Sequence, residues 1–130
     1  MAWTFSHYSN SSRDKVTGEM VSKLNSLTDL ELQSAKVTIA KARDDDYDGF
    51  IYYYANATSA PKPPVGPDFS TSAWSHDSNA ASEVNNFRNG TPDGNGVTLD
   101  ASQAWYADVT AYHEKGDPTA FVVWFRSNKK

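Results

Sequence analysis

The stretch Arg43–Ala57, RDDDYDGFIYYYANA, constrains the chain most. Asp44, Asp45, Asp46, Asp48 and Gly49 lead without a polar spacer into the apolar and aromatic run Phe50 to Ala55, so an anionic turn is attached directly to a strand. Asp44, Asp46, Asp48 and Gly49 read D-x-D-x-D-G, the opening half of a calcium-type loop in which alternate side-chain oxygens converge on a hard cation. The closing half is missing. Ala55 stands where a bidentate Glu belongs, which excludes a complete EF-hand and leaves two readings, a partial divalent-cation site and a solvated acidic turn.

A second run, AFVVWF at 120–125, matches FIYYYA in character. Both are continuously apolar, as expected of strands covered on both faces, and they are expected to be central neighbours in one sheet. Around them the spacing predicts helices. Val16, Met20, Leu24 and Leu27 share one face of a helix over 13–27. Thr28-Asp29-Leu30-Glu31 is a capping-box pattern that starts a second helix, over 29–42, against which the alternation of Ala35, Val37 and Ile39 argues for a strand. Ala80, Val84 and Phe87 define a helix over 79–88 ending at Gly90. Asp100 and Gln103 cap a fourth, over 101–115, with Trp105, Val109 and Tyr112 inward and Tyr106, Thr110 and His113 on a neighbouring stripe.

The expected fold class is therefore α+β, about four helices packed on a small sheet with central strands near 50–55 and 120–125, in a single domain spanning 1–130. Trp3, Phe5 and Tyr8 alternate loosely, as in an edge strand or a packed arm. Ser59–Ala73 holds four prolines and reads as an extended loop, and no internal repeat is visible.

Seventeen aromatic residues among 130 (four Trp, seven Tyr, six Phe) demand a folded protein despite a mean hydropathy of -0.65. The absence of cysteine excludes disulfides, thiolate catalysis and cysteine zinc sites and suits a reducing compartment. No basic-then-apolar leader and no run of spanning length is present, so the expectation is a soluble cytoplasmic protein with no membrane partner. A net charge of -4 removes whole-molecule attraction to phosphate backbones, and any nucleic-acid contact must be local. Exposed tyrosines permit a monomer or a homodimer.

Only His7, His76 and His113 can supply an imidazole acid or base. His76 stands beside Asp77 at an expected helix start, and His113 beside Glu114 and Lys115 in an expected last turn, where the macrodipole favours a cationic ring. No P-loop, G-x-G-x-x-G or nucleophile elbow is present, which argues against nucleotide cofactors. Two classes fit: a metal-assisted or acid/base nuclease, and a non-enzymatic binding module, lectin-like or inhibitor-type, that uses the Pro-rich loop 59–73 and exposed tyrosines.

In the sequence of an acidic turn before a Tyr-rich strand, a His-Asp pair, a DG-rich turn and a late expected helix ending in His113-Glu114-Lys115, the chain resembles the ribotoxin-like proteins of mushrooms, the ageritin-like ribonucleases. That resemblance implies a divalent-cation-dependent endoribonuclease that cuts the sarcin–ricin loop of large-subunit ribosomal RNA and inhibits translation. It implies Tyr53, His76, Asp77, His113 and Lys115 as catalytic candidates, with Asp93 a further one. Asp44, Asp46 and Asp48 would hold the ion, one of Mg, Ca or Zn.

Overall fold

The computed structural model describes residues 2–41, 46–55, 70–75, 80–93, 96–99, 104–114 and 117–127. They fall into two compact units, Met1–Pro64 and Val65–Lys130.

The first unit runs β1 (Ala2–Asn10), α1 (Arg13–Ser26), α2 (Asp29–Ser34), β2 (Lys36–Lys41) and β3 (Tyr47–Ala55). β3 lies between β1 and β2 and is antiparallel to both. α1 starts where Ser12 accepts a hydrogen bond from the Lys15 amide, and its periodic face, Val16, Met20 and Leu24, is fully buried. The capping box forms as its sequence pattern requires: Thr28 Oγ1 accepts from the Glu31 amide at 3.1 Å while Glu31 Oε1 accepts from the Thr28 amide at 3.0 Å. α2 then lasts six residues. Ile51, Val37, Ile39, Tyr47 and Tyr53 face the helices and complete this core.

Gly49 sits inside β3 rather than at a turn. A Cβ there would overlap Met20 Sδ and lie 2.8 Å from Val16 Cγ1, so the glycine is what lets α1 settle against the sheet.

The second unit runs β4 (Ser70–Ser75), α3 (Ala80–Arg88), β5 (Ala104–Glu114) and β6 (Asp117–Ser127), with β6 antiparallel between β4 and β5. Val84, Phe87, Leu99, Val123 and Phe125 form its core on the α3 side. On the opposite parity of the sheet, Thr110, Tyr112, Val122 and Trp124 are also buried, and Trp124 Nε1–H donates to Thr110 Oγ1 at 3.0 Å. α3 ends as expected at Gly90, which takes φ 103° and donates to the Phe87 carbonyl while Thr91 donates to that of Asn86, the paired bonds of a Schellman cap.

Both units thus follow one plan: strand, helical segment, strand, strand, with the last strand in the middle. Ala-x-Val-Thr recurs at 35–38 and 107–110, and it occupies equivalent register, Val37 opposite Ile51 and Val109 opposite Val123.

The expected α+β arrangement of four helices on one small sheet is overturned. There are three helices among the described residues, one of them a six-residue turn and a half, and two three-stranded antiparallel sheets. The helix over 29–42 stops after Ser34, because Ala35 is already extended (φ -71°, ψ 139°) and the alternating β-branched residues that follow pair with β3. The helix over 101–115 is the strand β5. Its apolar spacing fits a helix, yet Val109, Thr110 and the neighbouring aromatics favour a pleated surface, and β6 supplies an eleven-residue antiparallel partner. FIYYYA and AFVVWF are each central, but in separate sheets rather than as neighbours in one.

Among the described residues no helix is long and apolar enough to cross a membrane.

Candidate functional site: an aromatic sheet face

Strand alternation divides β3 into two sets. Tyr47, Gly49, Ile51 and Tyr53 face the helices; Asp48, Phe50, Tyr52 and Tyr54 face away from them. β1 does the same, sending Trp3, Phe5 and His7 to the outer face. The antiparallel register then assembles rows across the sheet: Trp3 opposite Tyr54; Phe5, Tyr52 and Lys36; His7, Phe50 and Thr38. Successive rows are two residues apart, about 6.8 Å, so the ring-bearing face runs about 14 Å along β3.

The rings contact one another. Trp3 stacks on Tyr52 with centroids 5.1 Å apart and planes 11° from parallel, and meets Tyr54 edge-on at 5.1 Å. Phe5 lies 5.1 Å from Phe50 and 5.8 Å from Tyr52. His7 stacks on Phe50 at 4.7 Å, and its Nε2–H donates to Asp48 Oδ1 at 2.8 Å, a diagonal cross-strand pair that closes this end of the face. Despite these contacts Trp3, Phe5, Tyr52 and Tyr54 remain 38–60% exposed. Ring pairs of this geometry contribute about 0.5–1.5 kcal/mol each beyond area burial. They hold the face in shape without covering it. Between them, Phe5, Phe50, Tyr52, Thr38 and Lys36 line a cleft of about 300 Å³.

The residues singled out in the sequence are distributed as follows. Tyr53 is 6% exposed on the helix side of β3, with Lys23 Nζ 5.4 Å from its ring centroid, and so points away from the aromatic face. Asp48 is on that face, engaged by His7. Asp46 immediately precedes β3, partly exposed. Asp93 closes a turn: its carboxylate accepts from the Val97 amide at 2.9 Å. His113 lies in β5 rather than in a helix. Asp44, His76, Asp77 and Lys115, together with residues 59–69 of the Pro-rich loop 59–73, lie outside the described residues, whereas residues 70–73 of that expected loop belong to the strand β4. Among the described residues no three His, Asp or Glu side chains gather in a manner suited to a metal ion.

The aromatic face was only half visible in the sequence. The tyrosines were recognisable as contact residues, but an all-apolar FIYYYA reads as covered on both sides. A finer signal was present in the parity: each set carries two tyrosines, but one adds Gly49 and Ile51 and the other the acidic Asp48.

No family model, no curated protein and no solved structure matches this chain.

Proposed function

We propose that this chain is a binding protein that captures ring-bearing small molecules on the outer face of its first sheet. One observation carries the reading: Trp3, Phe5, Phe50, Tyr52 and Tyr54 are concentrated on one open face. Contiguous exposed apolar surface of this kind marks interaction sites, since a monomer gains little from leaving so much aromatic area in water. Aromatic side chains suit the task because they offer large, stiff contact area while freezing only two torsions. The cleft among them lies at the small end of the size range of ligand pockets, about 300–1,000 Å³.

The test is a titration of isotope-labelled protein with a panel of oligosaccharides, RNA oligonucleotides and aromatic acids, followed by amide shifts. Ligands should move the amides of β1 and β3, and a Phe5→Ser/Tyr52→Ser double variant, measured below its melting transition with its remaining amide shifts unchanged, should lose the response. Shifts confined to other segments, or undiminished binding by the double variant, would overturn the proposal. A parallel arm incubates intact ribosomes with the protein, with and without EDTA. Release of one discrete rRNA fragment only without chelator would replace the binding reading by the endoribonuclease one.

A further inference from the structure

The cleft on the aromatic face has a charged end. Lys36 stands opposite Tyr52 in the register, at the start of β2, and lines the cleft together with Thr38, Phe5, Phe50 and Tyr52. Among the described residues Lys36 enters no ion pair, whereas His7 and Asp48 on the same face hydrogen-bond each other at 2.8 Å. The cleft therefore combines three aromatic walls with a lysine whose charge nothing described offsets and a hydroxyl two residues further along the same strand. An apolar ring laid against Phe5, Phe50 and Tyr52 can direct an anionic substituent to Lys36, where the anion gains a charge-assisted hydrogen bond at an exposed surface.

We infer that the ligand of this cleft is a small planar-ring molecule bearing a single anionic group, with the ring on Phe5, Phe50 and Tyr52, the anion on Lys36 Nζ and Thr38 Oγ1 as a second donor. This rests on the aromatic face being a binding surface, and adds the ligand's charge.

The experiment titrates the full isotope-labelled chain with 2-naphthoate and with 2-naphthamide, which present the same ring system with and without charge. Both probes should shift the amides of Phe5, Lys36, Thr38, Phe50 and Tyr52. Naphthoate should bind more tightly by up to about five-fold at low salt, the range of an exposed ion pair, and the preference should shrink as salt is raised. Lys36→Gln should abolish the preference, bringing the affinities of the two probes together, and Lys36→Arg should retain it. Equal affinity of the two probes, or a preference that survives Lys36→Gln, overturns the assignment of the anion and leaves ring binding standing. If neither probe shifts the amides of this face, the binding surface and the inference fall together.

Discussion

Met20 and Gly49 share one space: the sulfur of the helix residue lies where a side chain on the strand residue would begin. The glycine of the Asp-rich stretch is thus a packing residue of the first core, placed directly under α1, and the strand beside it carries Phe50, Tyr52 and Tyr54 to the opposite face.

Replacing Gly49 by Ala should therefore destabilise the protein by about 1–3 kcal/mol, the usual cost of overpacking. Denaturant melts measure this directly. Met20→Ala opens a cavity on its own, but the double variant should be more stable than the sum of the single effects predicts, because each change relieves the other.

Thr110→Val removes the acceptor of the buried indole N–H of Trp124, which is 0% exposed. A cost of about 1–3 kcal/mol is expected for the orphaned donor, and Thr110→Ser should restore most of it. Near-isosteric Val costing nothing in a chemical melt would show that the bond contributes no net stability.

Thr28→Ala removes the side-chain half of the capping box between α1 and α2, the acceptor of the Glu31 amide, and leaves the residue-28 backbone amide that donates to Glu31. The expected loss is about 1–2 kcal/mol, at the upper end for a cap because Thr28 and Glu31 are buried. Hydrogen exchange should show the amides of 29–34 opening first.

Trp3 and Tyr52 should behave differently from these core groups. A double-mutant cycle on the stacked pair should yield a coupling of about 0.5–1.5 kcal/mol. Trp3→Phe should also remove a readily acrylamide-quenched part of the fluorescence, since Trp3 is 55% exposed and Trp124 is dry. An unchanged quenching curve would mean that Trp3 is covered in solution.

Much of the local structure follows from sequence alone. α1 is written in the four-residue spacing of Val16, Met20 and Leu24; the start of α2 in Thr28 and Glu31; the end of α3 in Gly90; and the two central strands in runs too apolar and too β-branched or aromatic to be loops. In each case the determining interaction lies within a few residues. Tertiary structure decided the rest. Segment 104–114 carries a helical spacing, and antiparallel pairing with β6, the next strand in the chain, settles the choice. The same holds for 36–41 against β3. Which side of FIYYYA stays open is only hinted at by the parity of Asp48 and Gly49 just before the run; Gly49 admits α1 to one face, which leaves the rings of β1 and β3 on the other. The aromatic face exists because two strands separated by two helices are brought into register, and register is a property of pairing rather than of either strand.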